Sequence, residues 1–207
     1  TILQDQVTKF ADHIFKQNTP VSGGQITSNF NCSYIKLQSS YQSAVIDVTQ
    51  FEGKVIQNAT GTVVAKVLKT IAATGTTAID EPPTLIVSYK TGTQFAESDI
   101  VYDSASSLAA AVATSNAVGL SSIVSIAQGV FYISSNYTRA DGIKISNGTF
   151  VQVDPQTVVV SKYSNTPSAR IGLNITESIQ TFVSDATLLD PAVGASNYQA
   201  PGADRYK

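Results

Sequence analysis

The chain has 207 residues, a net charge of -2 and 14% charged residues, with one cysteine and no tryptophan. That length allows one β-rich domain with its own core, or two small ones. The sparse charge, with no basic cluster, gives no footprint for a nucleic acid or an anionic membrane, and no apolar run approaches the roughly 20 residues that span a bilayer.

Ser, Thr, Val, Ile and Ala dominate the composition, which suits packed sheets better than helices. A lone Cys32 forms no internal disulfide, so stability must come from the core or from neighbouring subunits. The opening at Thr1, without an initiator Met, without a basic leader region and already in helical register, points to a longer parent chain.

From Ile2 to Lys16 the residues Leu3, Val7, Phe10 and Ile14 are spaced four, three and four apart, on one seam of a helix. The same spacing is that of alternating d and a positions in a coiled coil. Ile2, Ala11 and Phe15 widen the apolar face, which equally suits a helix packed on its own domain. Thr19-Pro20 and Gly23-Gly24 stop the helix, and Gln25 to Gln38 reads as a strand pair with Ile26, Phe30, Tyr34 and Leu37 in the core.

Between Phe51 and Asp103 the runs 54–56, 62–68, 85–89 and 100–102 are candidate strands, with turns at Asn58 to Gly61 and Thr91-Gly92 and a stiff loop at Asp80 to Pro83. Ala105 to Ala117 is Ala-rich, which favours a helix, although its many Ser residues weaken the case. From Gly129 a meander is expected: strands at 130–133, 143–146 and 149–153, with Asn147-Gly148 as a hairpin turn and Asp141-Gly142 before it. Strands at 157–160 and 169–176 follow, divided by Ser164 to Pro167.

The expected fold class is mainly β, an antiparallel meander or sandwich with an inserted small β module and an N-terminal helix. The helix takes 1–18, the main β domain 19–50 and 119–180, the inserted subdomain 51–118 with its possible helix, and an extended arm 181–207.

Candidate chemistry is thin. His13, the one imidazole, lies beside the helical seam, and Cys32 lies in a strand without a helix-start setting to activate it. No metal-ligand ladder, calcium loop or phosphate loop is present. The carboxylate pairs Asp80/Glu81, Glu97/Asp99 and Asp185/Asp190 sit in polar loops where no raised pKa is expected. The Asn-x-Ser/Thr triplets at Asn31, Asn58, Asn136, Asn147 and Asn174 read as coincidence in so Ser/Thr-rich a chain. No catalytic, cofactor or metal site is expected, and the chain does not read as an enzyme.

Three stretches carry a resemblance: Phe10-Ala11-Asp12-His13-Ile14-Phe15-Lys16, Gln128 to Ile133, and above all Lys162-Tyr163-Ser164-Asn165-Thr166-Pro167-Ser168-Ala169-Arg170-Ile171-Gly172-Leu173. Together with the ending Leu188-Leu189-Asp190 and Ser196 to Arg205, they resemble a family of domains in virion proteins of tailed bacteriophages, tail-fibre-like or baseplate-associated and frequent in cyanophages. The likeness is strong at both ends and loose across Phe51 to Ser125, and Ser134 to Ser146 looks like an extra hairpin.

The family has no established catalytic residues. The resemblance implies a structural virion protein at a fibre base or baseplate, a homotrimer whose helix continues upstream, with other tail or baseplate proteins as partners. Its subunit-interface candidates are Leu3, Val7, Phe10, Ile14, Leu188, Leu189 and Tyr198. The alternative is a module that binds host glycans through Tyr132, Tyr137 and neighbouring loops; a depolymerase is disfavoured by the poor inventory of titratable groups.

Overall fold

The computed structural model describes residues 2–15, 19–74, 81–134, 148–176 and 178–206. The expected strand at 143–146, the turn residues Asp141, Gly142 and Asn147, and Tyr137 lie outside them. The chain divides into two compact units, Thr1–Ala169 and Arg170–Lys207.

The first unit opens with α1 (Ile2–Ile14). Its strands are β1 (Thr19–Gly23), β2 (Ile26–Lys36), β3 (Ser40–Tyr41), β4 (Ala44–Val45), β5 (Val55–Gln57), β6 (Val64–Ile71) and β7 (Thr84–Thr91). Then come β8 (Ile100–Asp103), β9 (Ala109–Ala111), β10 (Val118–Ile126), β11 (Gly129–Ile133), β12 (Thr149–Val153) and β13 (Gln156–Ser161). A 3-10 helix, Val48–Phe51, is capped by the Asp47 side chain, which accepts from the Thr49 N–H. The fold is mainly β and antiparallel throughout.

Eight strands form one sheet in the order β13-β10-β2-β7-β6-β5-β8-β9. Six of them, from β2 to β9, close on themselves. Past β9, Val112 bridges back to Leu37 beyond the end of β2, and the Gln38 N–H donates to the Ala111 carbonyl at 2.8 Å while Ala113 donates to Lys36 at 2.9 Å. Closure covers the edge that β9 would otherwise leave unpaired. The enclosed core holds Ile35, Leu37, Val67, Leu85, Val87 and Val101 with Phe51 and Phe95, each contributing roughly 1.5–3 kcal/mol of burial.

The strands expected of the inserted module therefore share this sheet with β2. The apolar run Leu85-Ile86-Val87 is explained by its two buried faces: Leu85 and Val87 enter the barrel, and Ile86 joins Cys32 and Ile123 on the outside.

β2 pairs with β7 only from Ser33 to Lys36 and then leaves the barrel alongside β10 and β13. All three of these strands break at one level. Gly24 and Gln25 separate β1 from β2, Ala127 and Gln128 separate β10 from β11, and Asp154-Pro155 separates β12 from β13. Beyond the break the chains pair again as β1-β11-β12. Gly24 has φ +68° and lies against the Phe131 ring, where a Cβ would stand 2.5 Å from Cζ; no other residue fits both demands.

Several expectations are corrected. Thr19–Gly23 is a strand, and the stretch expected as a strand pair from Gln25 to Gln38 holds the single strand Ile26–Lys36, because Gly23-Gly24 bends the ribbon instead of ending it. Ile26 and Phe30 are 57% and 45% exposed, since this half of β2 has left the barrel and a register shift opposite Ser121 and Ile123 breaks its alternation. Leu37 is buried as expected, and Tyr34 is half-buried.

Ala105 to Ala117 contains no helix. Asp103 accepts from the Ala105 N–H and the Ser106 hydroxyl, turning the chain, so that β9 can lay its small Ala side chains against β8. Ala169 to Thr176 is not a strand either: no described strand lies beside it to take its backbone hydrogen bonds.

The distinctive Lys162 to Pro167 stretch is tied down by side chains. Ser121 Oγ donates to the Ser161 carbonyl and Ser122 Oγ to the Ser164 carbonyl, each at 2.9 Å. Tyr163 packs edge-on against Tyr34 with ring centres 4.8 Å apart, its hydroxyl donates to Glu81, and Lys36 Nζ lies 4.5 Å from its ring centre.

In the second unit β14 (Ile179–Gln180) pairs with β15 (Arg205–Tyr206). A short 3-10 helix, Ala186–Leu188, is capped by Asp185. The Leu189–Pro201 bridge and the Gly202 N–H on the Leu188 carbonyl at 2.8 Å fold this segment back on itself.

Candidate functional site

α1 has two working faces. On the first, Ala11 is 2% exposed, a small residue that lets the helix approach the β11-β12 ribbon closely. The Tyr132 hydroxyl donates to Asp12 Oδ1 at 2.9 Å and reaches the Thr8 carbonyl at 3.3 Å, and Ser134 Oγ donates to the same Asp12 oxygen at 3.1 Å. Phe15, just past the helix, meets Tyr132 and Phe150 with ring centres 5.8 and 6.1 Å away, and those two rings are 4.9 Å apart. Burial, and then the Asp12 carboxylate beside it, push the Tyr132 hydroxyl up to about 12.

The second face is the seam read from the sequence. Leu3 is 76% exposed, Val7 49%, Phe10 65% and Ile14 51%. At 3.6 residues per turn this seam lies about 120° round the helix from the Thr8, Ala11, Asp12 and Phe15 face, so docking one face holds the other away from the protein's own core. The reading of a helix packed on its own domain holds for the first face and leaves the seam unexplained. Asp5 and Lys9 pair at 2.8 Å about 150° round the helix from the seam, i to i+4 on the exposed surface.

The other interface candidates lie in the second unit. Leu188 is 6% exposed and so offers no surface, while Tyr198 is 46% exposed and Leu189 half-buried. The first-unit and second-unit candidates are thus carried by separate compact bodies.

A groove of about 530 Å³ lies at the level of the common break, lined by Gln25, Thr27, Ser125, Gln156 and Thr157 on one side and by Glu52 and Lys69 on the other. In a flat sheet β6 and β13, four positions apart, would stand about 19 Å from one another; a single groove touching both requires the β2-β10-β13 ribbon to lean over β6. Nothing in the sequence singled these residues out, because only strand register brings Thr27, Ser125 and Thr157 side by side.

The candidates for catalysis are placed as follows. His13 is exposed on α1. Cys32 is fully buried, its thiol donating to the Ser121 carbonyl at 3.1 Å and pushed up by that burial. Asp99 accepts from the Ala96 N–H, Asp185 caps its 3-10 helix and Asp190 accepts from the Ala192 N–H. Glu81 accepts from Tyr163, and Asp80 lies outside the described residues. Tyr132, named for glycan contact, is fully buried.

A polar cluster the sequence reading missed joins Lys54, Asp103 and Ser106. Asp103, whose side chain is 2% exposed, accepts from Lys54 Nζ at 2.8 Å and from Ser106 Oγ. The Lys54 ammonium first and the Ser106 hydroxyl second hold its carboxyl below the usual range. Every acceptor bond is to a group of the barrel rim, a structural use. Among the described residues no three His, Cys, Asp or Glu side chains gather at metal-binding distance, and no helix is long and apolar enough to cross a membrane. Compared with models of protein families, with curated proteins and with solved structures, the chain matches none.

Proposed function

We propose that this chain is a structural component of a bacteriophage tail, a fibre base or baseplate-attached adaptor that assembles as a homotrimer through α1. The observation that carries the reading is the outward seam of Leu3, Val7, Phe10 and Ile14 at coiled-coil spacing, on a helix whose other face is already locked. Four large apolar side chains held in water by a docked helix are stabilised when like copies cover them. The likeness of Lys162 to Leu173 to tailed-phage virion domains supplies the tail context.

In this role the barrel gives rigidity, α1 joins the copies, and other tail or baseplate proteins meet the rest of the surface. Immunogold labelling of purified particles from the encoding phage, with antibody raised against the chain, tests the placement. Label concentrated on the tail or baseplate is expected; particles without label, with the protein confined to the infected-cell lysate, would overturn it.

A further inference from the structure

We infer that the groove between the β2-β10-β13 ribbon and β6 is a binding site for a neutral oligosaccharide. Thr27, Ser125 and Thr157 are direct register partners on three adjacent strands, so their hydroxyls form a row across the sheet with the strand spacing of about 4.8 Å. Ser125 Oγ and Thr157 Oγ1 bond one another at 2.9 Å, which leaves each with further hydrogen-bonding capacity. Thr27, Gln25 and Gln156 make no side-chain hydrogen bond among the described residues and stand exposed at the groove.

The wall facing them is neutral as a pair. Lys69 Nζ and Glu52 Oε1 are 2.7 Å apart, and Thr70 Oγ1 donates to the other Glu52 oxygen at 3.0 Å. The groove therefore favours neither anion nor cation, and no aromatic ring lines it for a base or indole to stack upon. Hydroxyls and primary amides both donate and accept, as sugar hydroxyls do, while Pro155, Ala127 and the rim of Ile126 offer small apolar patches for sugar C–H faces. The volume lies inside the roughly 300–1,000 Å³ range of ligand pockets. Without an aromatic platform the affinity expected is modest, near the millimolar end. None of the groove's lining residues belongs to the α1 seam.

The test is a printed array of neutral and acidic oligosaccharides, followed by saturation-transfer NMR on the intact chain with maltotriose and raffinose as soluble probes. Binding to neutral glycans is expected, weakened at least tenfold in Ser125→Ala/Thr157→Val, where both members of the bonded pair are removed so that neither is orphaned. The surface variant Gln25→Ala/Gln156→Ala, which touches no core residue, should weaken it in the same way. No signal from any neutral glycan, binding confined to acidic glycans, or affinity unchanged in both folded variants would overturn the inference.

Discussion

Tyr132→Phe isolates the bond that holds α1 in place. The substitution keeps the ring, and with it the contacts to Phe15 and Phe150, and removes only the hydroxyl that donates to Asp12 and reaches the Thr8 carbonyl. A hydrogen bond to a charged group is worth roughly 1.5–3 kcal/mol net. Ser134 still donates to the same carboxylate oxygen at 3.1 Å, so the loss should fall in the lower half of that range, about 1.5–2 kcal/mol. For a unit of this size that lowers the melting temperature by about 3–8 °C.

The same bond gives a pH signature. The hydroxyl is raised from 10.0 to about 12, so between those values the folded state keeps a proton that the unfolded state has released. The stability this group contributes is fully present below 10.0 and is lost as pH rises towards 12. Urea unfolding of wild type and Tyr132→Phe across that window is the assay. Tyr89 and Tyr163 are also raised and remain in both proteins, so the difference between the two curves reports Tyr132. The gap should be widest below 10.0 and shrink towards 12; a gap absent at neutral pH, or constant across the window, would refute the docking argument.

Three further outcomes are expected. Gly148→Ala places a Cβ 2.0 Å from the Tyr132 hydroxyl, so it should displace that hydroxyl from Asp12 and lower stability in a way that is not additive with Tyr132→Phe, which a double-mutant cycle measures. Lys54→Met leaves the buried Asp103 carboxylate with the Ser106 hydroxyl and the Ala105 N–H alone, costing about 1–3 kcal/mol at neutral pH. Because the folded Asp103 is held below the usual range, that stability is present above the ordinary carboxylate value near 3.9 and fades as pH falls through the depressed one. The gap between variant and wild type in urea titrations should narrow in acid, and a gap that does not change with pH would count against the pair. Gly24→Ala meets Phe131 at 2.5 Å with φ at +68°, and should straighten or unseat the bend, seen as loss of amide protection at the Gly24 to Gln128 bond in hydrogen exchange.

What the sequence revealed and what it hid have physical reasons. The α1 seam was legible because 3.6-residue periodicity acts locally, and the barrel strands 64–71 and 84–91 because β-branched runs mark buried sheet. β10, the strand that joins everything beyond the barrel, was hidden: Gly119, Ser121 and Ser122 interrupt its apolar run. Those two serines spend their hydroxyls on Ser161 and Ser164, a use that only the folded chain displays. The Ala-rich stretch at 105–117 misled because alanine's helix preference is a fraction of a kcal/mol per residue, less than closing the barrel through Val112 supplies. The hydroxyl row of the groove was out of reach altogether, since Thr27 and Ser125 become neighbours only through register.

The central claim is that the α1 seam joins copies of this chain, and sedimentation equilibrium tests it most directly. Covering four side chains that are between 49% and 76% exposed is worth roughly 1–2 kcal/mol each, against an association cost of about 4–15 kcal/mol, so the self-association expected of this chain is concentration-dependent. The mass should rise with concentration towards three times the 21.8 kDa of one chain, and Val7→Glu/Phe10→Glu should hold it at the monomer with the fold intact. A monomeric mass well above micromolar concentration, or a trimer unaffected by the double substitution, would contradict the account.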